Sequence, residues 1–161
     1  LGASAGMRRV VWLMTAAAVI AVAVWVRLAP SDPAVWHATG AEAAQAGVAA
    51  DGAVRAGRGD ARVALAVPGG PDEVLARLDA IALATPRTRR LAGSPSEGRI
   101  TWVTRSAVWG FPDYTTASAR AVEGGTRLDL WARLRFGGAD FGVNARRLQD
   151  WVALLAAGGG S

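Results

Sequence analysis

The feature that most constrains the fold is an uncharged apolar run at residues 10–26, VVWLMTAAAVIAVAVWV. Leu28 and Ala29 extend the run past Arg27, whose long side chain can reach back to a polar surface. At about 1.5 Å per residue the whole stretch spans on the order of 30 Å, which matches the hydrocarbon core of a bilayer. We therefore predict a transmembrane helix over residues 10–29.

The residues that flank this helix predict its orientation. Tryptophans lie near both ends, where indole rings favour the membrane–water interface, and two arginines precede the helix. By the positive-inside tendency, we expect residues 1–9 to be cytoplasmic and the chain after Pro30 to be exported. This predicts a protein of the bacterial inner membrane with a periplasmic C-terminal domain. The candidate membrane-interface residues are Trp12, Trp25, Arg8, Arg9 and Arg27.

Two other interpretations of the run are open, although an uncleaved anchor is favoured. A cleaved signal peptide needs small residues at the cut, whereas Trp25, Val26 and Arg27 occupy that region. A buried core helix of this length normally has a polar face. Ala17 and Ala21 form a small-xxx-small pair that could pack against a helix of another subunit, but alanine is frequent throughout the chain.

Composition excludes several classes of function. All 18 basic residues are Arg, and together with abundant Ala and Gly this is typical of GC-rich bacterial genomes, so arginine alone carries little information. Three of the arginines precede residue 30 and all 13 acidic residues follow it, which leaves 15 Arg against 13 acids in the rest. A net charge of +2 there does not predict nucleic-acid binding. The absence of Cys excludes disulfides and thiol chemistry.

The remaining chain divides into a connecting segment and a folded domain. Residues 30–60 are rich in Ala and Gly with no period, which predicts a linker or a surface-hugging loop. Residues 61–157 carry the periodic patterns of a domain. Residues 1–6 precede Met7, which is the more natural start, and residues 158–161 (GGGS) read as a flexible tail or linker remnant.

Hydrophobic periodicity predicts an α+β fold of order β-α-β-β-β-α. The strands are predicted at 62–67, 99–106, 114–123 and 126–136, and the helices at 68–85 and from Asn144, which is expected to cap the second helix. Residues 86–98 are predicted to be a loop. Strands linked in this order pair into a four-stranded antiparallel sheet, with both helices on one face. We expect the other face to be open, with Thr116, Ser118, Arg120, Arg127, Trp131, Arg133 and Arg135 exposed on it.

Two short motifs resemble a bacterial family. The segments FPDY (111–114) and DFGVNARR (140–147) are similar to those of the family known as domain of unknown function 1499, and SDPAVWH (31–37) resembles the segment that follows the anchor in its membrane-tethered members. The resemblance covers about residues 30–155 and implies the fold more than an activity. One departure is the sequence Ala132-Arg133-Leu134-Arg135, where relatives often have Ser-x-Ser-Arg.

The sharpest candidate site lies around the second motif. A glycine corner that opens a helix presents free N–H groups, and nearby guanidiniums would add positive charge for a phosphate or carboxylate. The favoured alternative is structural, with the aspartates pairing with arginines or capping the corner. The candidate anion-binding or partner-binding residues are Arg105, Asp113, Arg133, Asp140, Asn144, Arg146 and Arg147.

No catalytic constellation is evident in the sequence. His37 is the only histidine and would need further ligands to hold a metal. A triad with Ser94, Ser96, Ser106 or Ser118 lacks a nucleophile-elbow pattern. We predict no catalytic residue, no metal and no cofactor.

These observations lead to three hypotheses about function. The first is a non-catalytic accessory or assembly protein whose exported domain docks on a larger membrane complex, with membrane lipids and other integral subunits as partners and no nucleic acid. The second is a binding module for an anionic small molecule or lipid head group. The third and weakest is a hydrolase that uses His37.

Overall fold

The structure, a computed structural model, describes residues 5–159 of the chain. The predictions made for residues 1–4 and 160–161 lie outside the described residues. The first element is helix α1 (Ala5–Leu28), whose 24 residues include an 18-residue stretch with a mean hydropathy of 2.1, so it is long and apolar enough to cross a membrane. Most of its surface is free of contacts with the rest of the chain, but Val26 and Ala29 near its end are 3% and 5% exposed. The domain therefore packs against the C-terminal end of α1 and leaves most of the helix exposed.

The domain is built on one antiparallel sheet whose strand order is β1-β2-β6-β5-β4-β3. Helix α3 (Pro71–Ala84) connects β2 to β3, and helix α4 (Val143–Ala157) follows β6. A short helix, α2 (Pro33–Trp36), precedes the sheet. The strands are β1 (Arg55–Ala56), β2 (Asp60–Val67), β3 (Thr88–Ser94), β4 (Arg99–Arg105), β5 (Pro112–Val122) and β6 (Gly125–Leu134).

The α+β class and the antiparallel sheet are confirmed, but the prediction of four strands is wrong. The sheet has six strands, because β1 adds a two-residue edge and the predicted loop contains β3. Strand β3 pairs with β4 through a hairpin closed by a 3-10 turn at Pro95–Glu97. Its Arg, Gly and Ser residues are typical of a loop, and a register shift between Arg90 and Ala92 further disguises the alternation.

One face of the sheet packs against α3 and α4. Alternate residues of β6 face these helices, and Leu128, Leu130 and Ala132 are fully buried there. Trp102 of β4 meets Trp151 of α4 edge to face, with their ring centroids 5.5 Å apart. The main core therefore lies between the sheet and this helical layer.

The prediction of an open second face is wrong. Residues 30–50, which we term the covering segment, lie across this face of the sheet. Ala41 is fully buried, and the amide of Gln45 donates to the carbonyl oxygens of Val63 (2.7 Å) and Leu130 (2.9 Å). The indole of Trp36 stacks on the ring of Tyr114 with centroids 3.8 Å apart. The covering segment therefore forms a second, smaller packed layer on this face of the sheet.

Three of the four arginines expected to face solvent instead hold the covering segment in place, while Arg120 is exposed as expected. Arg133 donates to the carbonyl of Trp36 at 2.8 Å, and Arg127 donates to that of Val48 at 2.9 Å. Arg135 donates to the carbonyl of Pro30 at 2.8 Å. A segment of mostly small residues leaves its carbonyl groups without partners, and guanidinium groups with several donors can satisfy them.

Candidate functional site

The structure brings four of the predicted site residues together where β5 and α4 begin. Arg147 lies 3.3 Å from the Asp113 carboxylate and donates to Oδ1 of Asn144 at 2.6 Å. The side chains of Arg147 and Asp113 are only 10% and 12% exposed. Asp140 lies beside them and is itself buried. We term these four residues the corner cluster.

The corner cluster has the geometry of the structural alternative. Asp140 accepts hydrogen bonds from the backbone N–H groups of Gly142 (3.0 Å) and Asn144 (2.9 Å). The prediction that Asn144 caps the helix is therefore wrong, because α4 begins at Val143 and the capping acceptor is Asp140. A carboxylate at this helix end also complements the helix dipole. Whether the cluster binds an anion stays a prediction.

Burial controls the protonation of Asp113. It raises the pKa of the Asp113 carboxyl, while the Arg147 guanidinium opposes this through charge and a hydrogen bond. The neighbouring Asp140 raises the pKa further. The guanidinium of Arg147 thus offsets part of the rise that burial causes in the pKa of Asp113.

The other three predicted residues lie elsewhere. Arg133 is on the opposite face of the sheet, 4.1 Å above the ring of Trp131, and burial lowers its pKa. Arg146 is exposed and donates to the carbonyl of Phe141 at 3.3 Å. Arg105 lies at the end of β4 and lines a separate pocket.

That pocket, which we term the junction pocket, lies where α1 meets the domain. It has a volume of about 360 Å³ and combines residues from the end of α1, the start of β3, the end of β4 and the loop before β5. Its lining residues are Arg27, Arg87, Thr88, Arg89, Val103, Arg105, Ser106 and Gly110. Four of these eight residues are arginines and none is acidic.

Local backbone geometry allows these elements to converge. Gly110 has a φ of 70°, and a Cβ atom at this position would lie 3.1 Å from Cγ of Arg27. Glycine therefore permits the loop to turn tightly against the end of α1. Arg87 also adopts a positive φ of 61° at the turn into β3. The side chains of Arg27, packed against Gly110, and of Arg87 therefore lie at the same end of the sheet.

The arginines of the junction pocket are not neutralised. Within residues 5–159, none of the four forms an ion pair, whereas Arg55, Arg62, Arg90, Arg127 and Arg147 each pair with an aspartate. Arg87 donates to the carbonyl of Arg105 (3.1 Å), and Arg105 donates to that of Gly110 (2.9 Å), which fixes both side chains. Such a set of donors suits a phosphate group.

Exposed apolar side chains occupy the same end of the domain. Val108 and Trp109, in the loop between β4 and β5, are 74% and 49% exposed. Phe136 packs edge to face on Trp25 of α1, with centroids 5.8 Å apart, and also lies against Phe111. The apolar surface of α1 therefore continues onto the domain.

The sequence indicates this pocket only in part. The sequence predicts that Arg27 lies at a membrane interface and that Arg105 binds an anion. No sequence pattern indicates that these two residues lie in the same pocket. Arg87 and Arg89 were missed because they fall in the predicted loop. The available signal was the sequence VWGF at 108–111, because apolar and aromatic residues are unusual in a loop of a soluble domain and suggest an interface.

The structure also places His37 and the residues of the predicted membrane anchor. His37 Nδ1 lies 2.9 Å from Oγ1 of Thr101, and burial, aided by the charge of Arg99, lowers the pKa of His37, although Glu97 opposes this. In the described part of the chain, no three His, Asp or Glu side chains gather as a metal ion would require. The hydrolase hypothesis is not tested by this geometry. The predicted anchor residues Arg8, Arg9, Trp12, Ala17, Ala21 and Trp25 are exposed along α1.

The docking hypothesis loses one of the observations that motivated it. The basic face that was expected to be open is covered by residues 30–50, and Thr116 on it is fully buried. Docking on a larger complex therefore stays a prediction.

Comparisons with known proteins bear on the family and not on the activity. No curated protein matches the chain. A crystal structure of the protein MLL2253 from Mesorhizobium loti is similar, with a TM-score of 0.43 and 11% identity, over 61% of this chain and 96% of that one. An uncharacterised protein from Rhizobium leguminosarum is similar with a TM-score of 0.43 and 12% identity, over 65% of this chain and 99% of that one.

The family itself is established by sequence. Residues 30–155 match the family described as protein of unknown function (DUF1499). This range contains both motifs that suggested the resemblance, together with the covering segment and the whole sheet. The chain belongs to the DUF1499 family.

Proposed function

We propose that the protein is a single-pass membrane protein whose domain lies on the bilayer surface and binds the head group of an anionic phospholipid in the junction pocket. The observation that carries this proposal is the convergence of four arginines without acidic partners at the end of the apolar helix. Its localisation in the bacterial inner membrane, with the domain exported, follows from the charges before α1 and is part of the same proposal.

The position of the pocket along α1 supports a lipid ligand. If α1 crosses a bilayer, Arg27 in its last turn lies at the level of the head groups. The pocket that contains Arg27 would then open at the depth where lipid phosphates reside. A soluble anion could also be bound by these donors, but only a lipid is concentrated at this level.

The chemistry of the lining residues supports a phosphate. Guanidinium groups bind phosphate oxygens in a bidentate manner, and the hydroxyl groups of Thr88 and Ser106 can complement them. Each basic residue near an anionic membrane surface contributes about 1 kcal/mol. Because the pocket adds no carboxylate, this attraction is not cancelled locally.

Replacing Arg27 and Arg89 with glutamine should reduce selective lipid binding. Both side chains line the pocket without a hydrogen bond or ion pair to the described residues, so their loss should leave the fold intact. At about 1 kcal/mol each, the preference for phosphatidylglycerol over phosphatidylcholine should fall by roughly 30-fold. Native mass spectrometry of the full-length chain in detergent micelles with both lipids would measure the ratio bound.

The matched control is Arg120→Gln. Arg120 is exposed and lies at the opposite end of β5, so removing its single positive charge, half the change made by the double variant, should leave the lipid preference unchanged. Equal binding of both lipids by the unaltered protein would contradict the proposal. So would an equal loss of preference in the control and in the double variant, because this would reflect net charge alone.

A further inference from the structure

We propose that an apolar groove between α1 and the loop that follows β4 binds an acyl chain of the same phospholipid. This inference rests on the proposed function, because the head group in the junction pocket would place the chain. The ligand is then a whole anionic glycerophospholipid and not a free phosphate.

The groove is wholly apolar and lies beside the membrane-crossing part of α1. It has a volume of about 360 Å³, and each of its lining side chains is aliphatic or aromatic. One wall is a face of α1 and the other is formed by the loop. The lining residues are Ala18, Val19, Val22, Ala23, Trp109 and Phe111.

The groove and the junction pocket are built from the same two pieces of chain. Trp109 and Phe111 line the groove, while Gly110 between them lines the pocket. On α1, Arg27 lines the pocket and Ala23 and Ala18 line the groove. At 1.5 Å per residue, the groove extends from about 6 to 14 Å below Arg27. An acyl chain attached to a head group at Arg27 would occupy this depth.

The shape and charge of the two cavities together favour a lipid over a protein segment. Alanines at two of the four helical positions make the wall on α1 shallow enough for a slender chain. A partner helix that filled the groove would have to place its flank against a cluster of unpaired arginines. A phospholipid matches both cavities, because its anionic head group would lie in the junction pocket and its apolar chain in the groove.

The groove can be tested by filling it from α1. Ala18→Phe places a ring in the groove, whereas Ala17→Phe, one position earlier, places the same ring on another face of α1, since successive residues are 100° apart on a helix. The full-length chain would be reconstituted in phosphatidylcholine vesicles that contain a little phosphatidylglycerol with a nitroxide on its acyl chain. The immobilised fraction in the electron paramagnetic resonance spectrum reports chains held on the protein.

We expect Ala18→Phe to reduce the immobilised fraction about twofold relative to the unaltered protein and to Ala17→Phe, because only close packing holds a chain in a solvent as apolar as itself. Trp109→Ala removes the other wall and should have the same effect, which guards against a misfolded variant. Equal immobilised fractions in the unaltered protein and in the variants Ala17→Phe, Ala18→Phe and Trp109→Ala would contradict the binding of an acyl chain in the groove. If the groove fails while Arg27→Gln/Arg89→Gln still abolishes the preference for phosphatidylglycerol, the head-group site stands by itself. If phosphatidylglycerol and phosphatidylcholine probes are immobilised equally by the unaltered protein, the proposed function fails as well.

Discussion

Replacing Arg147 with methionine is expected to lower the free energy of unfolding by about 3 kcal/mol, because removing one partner of a buried ion pair leaves the other charge uncompensated. The methionine keeps most of the side-chain volume but removes the guanidinium that contacts both Asp113 and Asn144. Urea unfolding of the full-length chain in detergent micelles, followed by circular dichroism, would measure the loss. A loss of less than about 1 kcal/mol, the usual value of a surface pair, would contradict the structural role of the corner cluster.

The same variant should show a distinct pH dependence. Burial already raises the pKa of Asp113 in the folded protein, and loss of Arg147 should raise it further. A carboxyl whose folded pKa exceeds its unfolded value destabilises the fold fully at pH values above the folded pKa; this penalty shrinks as the pH falls through the folded pKa and is gone below the unfolded pKa. The defect should therefore be larger at about pH 7.5 than at about pH 5. Adding Asp113→Asn should recover part of the stability at neutral pH.

Replacing Trp151 with alanine is expected to cost about 4 kcal/mol, the typical cost of removing a buried tryptophan from a core. Trp151 is 1% exposed, contacts Trp102 edge to face, and donates from Nε1 to Oγ1 of Thr85 at 2.9 Å. Its loss would open a cavity between α4 and the sheet and leave the Thr85 hydroxyl without this donor. The same urea unfolding experiment would measure the effect.

Leu154→Ala is the matched control for this change. Leu154 lies on the same helix but is 56% exposed, so its truncation should change the free energy of unfolding by no more than about 0.5 kcal/mol. Similar losses in the two variants would mean that α4 is not packed on the sheet through Trp151.

The parts of the fold that could be predicted are those in which one periodicity dominates. Strand β6 alternates cleanly between apolar and polar residues, and α3 has a single buried stripe that includes Val74, Leu75 and Leu78. Strand β3 could not be predicted, because an edge strand with exposed arginines has no alternation to detect. Strand β3 forms by pairing with β4, and the sequence of residues 88–94 alone does not indicate this pairing.

The covering segment shows a second limit. A run of Ala and Gly has too little apolar surface to indicate burial, so nothing in residues 38–50 predicts contact with a sheet. The contact depends on distant partners, such as Tyr114 beneath Trp36 and Ser118, whose hydroxyl accepts from the N–H of Ala41 at 3.0 Å. Polar residues on the outer face of the strands thus mark a covered surface as readily as an open one.

The motifs that identify the family lie in contact with one another. Tyr114 of FPDY stacks on Trp36 of SDPAVWH, and Asp113 of FPDY pairs with Arg147 of DFGVNARR. These residues hold the covering segment on one face of the sheet and α4 on the other. A motif of this kind resembles a binding site in sequence because caps and buried ion pairs use the same residue types as anion sites.

The central claim, that the domain lies on the bilayer surface with the loop beside α1 inserted in the bilayer, can be tested with one spin label. The chain contains no Cys, so Val108→Cys in the full-length protein gives a single attachment site for a nitroxide. Val122→Cys, at the far end of β5 and 38% exposed, is the matched control. In phospholipid vesicles, the label at residue 108 should collide readily with dissolved oxygen and rarely with a water-soluble nickel complex, with the reverse at residue 122. Equal access of the nickel complex to both labels would contradict the account.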